Sequence, residues 1–254
     1  MSCRFVTKQP LRLSLVIVLF VISACAKMEA QDFNPSEDEA GQEQILNEDP
    51  NSITQSEFVE SLNFKEPSLT VQNILSVREK YRSVDPQKII PTKLIDSALS
   101  YFDANKGKIR NQKYLTIVDF SSASKNQRLF VINMADGSVW SGWVAHGSGS
   151  DRNNDGVADS FSNAPGSNAS SLGYYLTAET YSGKHGLSLK LDGLSSTNSK
   201  ARSRAIVLHG ASYVSRASVR QGRSWGCLAV PMIDRNFLVN ALKNGSLIYA
   251  GQSR

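Results

Sequence analysis

Between residues 114 and 250 the chain is a succession of short runs, several of them rich in β-branched and aromatic residues, separated by clusters of Gly, Ser, Asn and Asp. Such runs read as strands and such clusters as turns. Strands are expected over 114–120, 128–134, 139–146, 172–178, 187–191, 205–209 and 246–250, with Ala135-Asp136-Gly137-Ser138 as a hairpin turn. Helical spacing brackets this region. Val71, Ile74, Leu75 and Arg78 predict a helix over 69–82. Pro91 opens a second over 91–105, with Leu94, Ile95, Ala98, Leu99 and Phe102 mostly three or four apart. A third, over 233–243, carries Phe237, Leu238, Ala241 and Leu242 on one side and ends before Gly245. The fold class is therefore mainly β with peripheral helices, an α+β domain.

Charge limits where that domain begins. Residues 28–66 hold 11 acidic residues, Lys65 as the sole base, and few large apolar residues before Ile53. Such a segment cannot bury enough surface to fold alone. It reads as an acidic flexible tether over 26–66, and about 40 such residues span roughly 35 Å. From Pro67 onward the balance reverses, with 23 Lys or Arg against 12 Asp or Glu, although the whole chain is only +5. A basic domain suits an anionic polymer. The helical part is expected over 67–110 and the β-rich part over 111–254.

Residues 1–25 read as an export signal. Arg4, Lys8 and Arg12 precede an apolar run, Leu13 to Ile22, that is short for a membrane span. Export argues against nucleic acid as the anionic partner. Ile22-Ser23-Ala24-Cys25 resembles a bacterial lipobox, which implies a lipid anchor on Cys25 and attachment to the membrane; the plainer alternative is an ordinary signal cut near Ala24 or Ala26. Ala26 resembles outer-membrane sorting, facing the periplasm, in a host with two membranes.

The cysteine arithmetic then singles out one thiol. Cys3 and Cys25 fall in the signal, so Cys227 has no disulfide partner in the mature chain. An unpaired thiol in an exported protein is a candidate reactive group, and a buried structural cysteine is the bland alternative. Cys227 lies in Arg223-Ser224-Trp225-Gly226-Cys227-Leu228-Ala229-Val230-Pro231, downstream of Ala205-Ile206-Val207-Leu208-His209-Gly210. A thiol needs a base or a cation to become a thiolate near neutral pH, and an imidazole at the end of an apolar strand can serve.

At these residues the chain resembles the L,D-transpeptidase catalytic domain (YkuD-like) family, in its divergent murein branch. His209-Gly210 and Ser224-Trp225-Gly226-Cys227 occupy the places of the family's His-Gly and Ser-His-Gly-Cys. Thr116-Ile117-Val118-Asp119-Phe120, Ala145-His146-Gly147, Ser170-Ser171-Leu172-Gly173 and Lys184-His185-Gly186 add to the likeness, which spans roughly residues 90 to 251. The resemblance implies a β-sandwich of mixed sheets. It also implies acyl transfer on peptidoglycan stem peptides: Cys227 attacks after the third, diamino acid residue, and the acyl group passes to an amine or to water. On that reading His209 is the base, Ser224 orients it, and the backbone N–H groups of Gly226 and Cys227 cradle the oxyanion. Arg223, Trp225, His185 and His146 line or buttress the substrate cleft. The sequence departs from the family twice, with Trp225 for the second histidine and Ala229 for an arginine. Arg223, Arg220 and Arg204 are candidates for the missing cation. Carboxypeptidase or amidase action alone, or a non-enzymatic wall-binding lipoprotein with a decayed site, are the other readings.

No cofactor is required by this chemistry. Asp151, Asn153, Asp155 and Asp159 sit at positions 1, 3, 5 and 9 of a calcium-type loop with Gly156 at 6, compatible with a structural calcium, but Ser162 replaces the bidentate Glu. The same residues also favour a plain Asx turn. The three histidines, each followed by glycine, lack the spacing of a helical zinc motif.

Overall fold

The computed structural model describes residues 63–254. The expected signal, the lipidation site at Cys25 and most of the acidic tether lie outside the described residues. The described part is mainly β, with three α-helices and one mixed sheet of eight strands.

Helix α1, Val71–Lys80, is capped by the Thr70 hydroxyl, which accepts from the Asn73 N–H at 3.3 Å, and carries Arg78 and Lys80 in its last turn. Its expected apolar face is corrected in detail. Val71 and Leu75 are exposed and Val77 is the buried residue, because the helix packs at the margin of the domain against a single neighbour. That neighbour, α2 at Thr92–Asn105, buries Leu94, Ala98, Leu99, Tyr101 and Phe102 as its periodicity predicts. Helix α3, Met232–Leu242, starts directly after the strand residues Leu228–Pro231 and buries Leu238, Val239 and Leu242.

The strands are β1 (Tyr114–Asp119), β2 (Leu129–Asn133), β3 (Val139–Gly142), β4 (Gly173–Gly183), β5 (Gly186–Gly193), β6 (Val207–Ala211), β7 (Leu228–Pro231) and β8 (Leu247–Gly251). Their order is β3-β2-β1-β8-β4-β5-β6-β7; β1 with β8 and β6 with β7 run parallel, and the other neighbours are antiparallel. Alternation along β1 divides the core. Leu115 and Ile117 face α2, clustering with Phe130, Ile132 and Leu247. Val118, with Phe120 just beyond the strand, turns to the opposite side, joining Leu129, Val131, Leu189, Leu208, Leu228, Val230 and the buried face of α3.

That second cluster draws on strands from both ends of the sheet, so the sheet curls around it, with α3 as a third wall. The edges are joined by backbone. The expected strand over 139–146 stops at Gly142, and the chain crosses to the outer edge of β7. There Ala145 N–H donates to Ala229 O at 2.8 Å and Ser224 N–H to His146 O at 2.9 Å. Arg128, fully buried, fixes the crossing by donating twice to Val144 O, at 3.0 and 2.8 Å. Joining the two edges leaves no bare edge on the β7 side and fixes what lies over Cys227.

Candidate active site

Two parallel strands deliver the thiol and the imidazole. In the β6–β7 register, Leu208 pairs with Leu228 and His209 with Ala229. Leu208, Leu228 and Val230 point into the curled core. Alternation therefore puts His209 and Ala229 on the other face, and Cys227 sits in the turn one residue before β7. Cys227 is half-buried, with its Sγ 3.6 Å from Ala205 O.

His209 is 2% exposed. Its Nδ1 lies 3.0 Å from the Gly210 carbonyl; a carbonyl only accepts, so Nδ1 carries the proton and Nε2 is the basic nitrogen. Burial first, and the neighbouring His185 second, push its pKa down to about 4, against the Gly210 hydrogen bond, so the imidazole is neutral at pH 7. The half-buried His185 comes from the β4–β5 hairpin and lies over His209, with ring centroids 4.3 Å apart.

The turn before Cys227 is built from its own residues. Ser224 Oγ donates to Cys227 O at 2.8 Å and accepts from Gly226 N–H at 3.1 Å. Two expectations are corrected here. Ser224 does not orient His209, because its hydroxyl is spent within the turn. The Gly226 N–H is likewise engaged by Ser224, so it is not presented to an incoming oxyanion. What Gly226 supplies is backbone freedom: φ is +115°, and a Cβ there would lie 2.7 Å from Ala169 O.

Of the two roles expected for His146, lining or buttressing, its burial favours the second. It is 1% exposed; its Nδ1 accepts from Arg128 Nη2 at 2.8 Å, and its Nε2 faces Asp151 Oδ2 at 3.1 Å. Burial, and then the Arg128 charge, lower its pKa to about 4, against the Asp151 carboxylate. It buttresses the Gly147–Ser224 bridge from behind. Arg128, buried whole, was not singled out in the sequence; an arginine opening an apolar strand was the available signal.

Of the three candidate cations, Arg223 is tied to Asp151 O and Arg220 to Asn154 O. Arg204 Nη2 lies 3.1 Å from where a Cβ on Gly226 would stand, close enough to Cys227 for the two charges to favour each other. Ala229 is fully buried against Ala145 and Ala211, and an arginine side chain there would have to displace them. Trp225 is half-buried directly before the Gly226-Cys227 step.

In the calcium-type loop Asp151 is buried, while Asn153, Asp155 and Asp159 are exposed. Asp151 Oδ1 accepts from Asp155 N–H and Oδ2 from Gly156 N–H, both at 3.0 Å, and Asn153 donates to Asp155 at 3.0 Å. Among the described residues, no group of three or more His, Cys, Asp or Glu side chains is arranged to hold a metal. The loop has the hydrogen bonding of an Asx turn.

Residues 86–250 match the profile of the L,D-transpeptidase catalytic domain family YkuD_2. Two solved structures are similar at low identity. One is the LD transpeptidase LdtMt1 in complex with imipenem, at 11% identity over 55% of this chain and 59% of that one, with a TM-score of 0.34. The other is the L,D-transpeptidase from Xylanimonas cellulosilytica DSM 15894, at 13% identity over 59% of this chain and 69% of that one, also with a TM-score of 0.34. The chain thus spans about three fifths of the first of these relatives. No curated protein matches it. With the family profile extending over well more than half of its length, this chain belongs to the L,D-transpeptidase catalytic domain family.

Proposed function

We propose that this protein is a cysteine acyltransferase of peptidoglycan stem peptides, with Cys227 as nucleophile and His209 as base. The observation that supports the reading is His209 on β6 beside β7, the strand that Cys227 directly precedes, with the His209 Nδ1 proton held by Gly210 O. That hydrogen bond fixes the tautomer whose Nε2 can take the thiol proton.

The steps follow from this arrangement. His209 Nε2 accepts the Cys227 proton, and the sulfur bonds to the carbonyl carbon after the third stem residue. The tetrahedral intermediate collapses as the C–N bond breaks, and the departing D-residue amine takes the proton back from His209. A thioester remains on Cys227. An amine acceptor then gives a cross-link, or water gives hydrolysis, with His209 again accepting the proton and returning it to sulfur. The basic balance of the domain suits a substrate rich in carboxylates. Anchoring through Cys25 at the periplasmic face of an outer membrane belongs to the same proposal, and loss of membrane association in Cys25→Ala tests it. Intact-mass spectrometry of the protein incubated with a tetrapeptide donor or a carbapenem tests the chemistry.

A further inference from the structure

Arg204 is a half-buried cation with no carboxylate partner among the described residues. Its guanidinium is spent on neutral oxygens: Nη1 donates to Ser162 O at 2.7 Å and Ser171 Oγ at 3.5 Å, and Nη2 to Ala169 O at 2.6 Å and Ser167 Oγ at 3.3 Å. The same Nη2 lies 3.1 Å from where a Cβ on Gly226 would stand, directly behind the turn that presents Cys227. A buried charge without a counter-charge is costly, and proteins retain one where an anion is bound or formed beside it.

The backbone is bent to keep it there. Ala205, immediately after Arg204, has φ +53°, a conformation that costs a non-glycine residue on the order of 1 kcal/mol. Its carbonyl is the oxygen 3.6 Å from Cys227 Sγ. A strained residue thus joins the guanidinium to the strand that carries His209.

We propose that Arg204 is the counter-charge that favours negative charge on the Cys227 sulfur as His209 takes its proton, a positioning residue acting through the electrostatics of the Gly226-Cys227 turn. The inference rests on Cys227 being the nucleophile. The two ionisable groups whose negative charge favours the Arg204 cation are Tyr175 and Cys227. Tyr175 is fully buried with its hydroxyl bonded to Ser171, and burial pushes its pKa up to about 12, so it stays neutral at pH 7; Cys227 is the group of the two that gives up a proton in the proposed reaction. His209 is neutral in the resting site and provides no standing cation. The guanidinium also ties down residues 162–171, so its charge and its hydrogen bonds need separate tests.

The experiment is the pH profile of iodoacetamide alkylation, read on the peptide containing Cys227 in the full chain, for wild type, Arg204→Lys, Arg204→Gln and Arg204→Met. Lysine keeps the charge without the guanidinium fork; glutamine keeps donors without the charge. The expected result is a wild-type-like midpoint for Arg204→Lys. For Arg204→Gln and Arg204→Met the midpoint should rise by about one pH unit or more, with alkylation at pH 7 slowed about tenfold. Melting curves identify any variant that fails to fold, and the lysine–glutamine contrast decides the matter if methionine is not tolerated. An unmoved midpoint in folded Arg204→Gln, or a lysine profile matching glutamine, overturns the proposal. Alkylation needs no stem peptide, so failure of the acyl-transfer reading appears separately, as absence of a donor adduct.

Discussion

The imidazoles of His185 and His209 lie 4.3 Å apart, tilted by 36°, with the half-buried ring covering the sealed one. Burial first, and the charge His185 can carry second, hold His209 near a pKa of 4. His185→Ala removes the second cause and part of the first, so the His209 pKa should rise from about 4 toward the ordinary histidine value. At pH 5.5 the variant is expected to keep a smaller share of its plateau rate of thioester formation than wild type, which keeps nearly all. A pH–rate profile by mass spectrometry measures this, and an unmoved acid limb would show that His185 does not cover the base.

Gly147 and Gly226 meet backbone to backbone. A Cβ on Gly147 would lie 2.2 Å from Asn168 O and 2.8 Å from Gly226 N, neither of which is a flexible side-chain atom. Gly147→Ala is expected to cost about 1–3 kcal/mol of stability and to slow acylation, because the displaced atoms belong to the Cys227 turn. Gly107→Ala, where a Cβ meets nothing within 4 Å, is the control for both assays. Denaturant unfolding of the two variants gives the comparison.

Stability should fall in acid for a traceable reason. His146 and His209 each have a folded pKa of about 4, below the value of 6.5 for an unperturbed histidine. Between those values the unfolded chain binds protons that the folded chain refuses. Their contribution is therefore fully present above pH 6.5 and is lost as pH falls toward 4. His209→Asn should reduce the slope of unfolding free energy against pH by about one proton in that window. Urea titrations at several pH values report it, and an identical slope in the variant would contradict neutral burial of His209.

Calcium is expected to leave the melting temperature unchanged, because both Asp151 carboxylate oxygens already accept backbone N–H groups. A rise in Tm with millimolar calcium, reversed by chelator and abolished in Asp155→Ala, would restore the loop as a cation site.

The fold was legible where local chemistry decides it. The β-branched run 114–120 and the helix after Pro91 appear within a residue or so of expectation. Tertiary contacts decided the rest. The run 139–146 reads as one strand, yet beyond Gly142 it leaves β2 for the edge of β7, and what holds it is a buried arginine from another strand. The four residues of β7, ending in proline, carry too little pattern to show as a strand. In the site, Cys227 and His209 stood out by chemistry. Choosing Arg204 over Arg223 or Arg220 depended on how residues 162–171 fold back, which no spacing encodes. Ser224 and Gly226 were assigned outward roles because the sequence does not reveal that they bond to each other.

The most direct measurement of the central claim is the intact mass of the protein after incubation with a stem tetrapeptide donor. Wild type should gain a mass equal to the donor minus the free terminal D-amino acid it releases, and Cys227→Ala should gain none, because the nucleophile itself is gone. His209→Ala should form the adduct about 10²–10⁴-fold more slowly. An adduct that persists in Cys227→Ala would place the nucleophile elsewhere. No adduct on wild type with any stem-peptide donor or carbapenem would instead make this a wall-binding protein built on a transpeptidase fold.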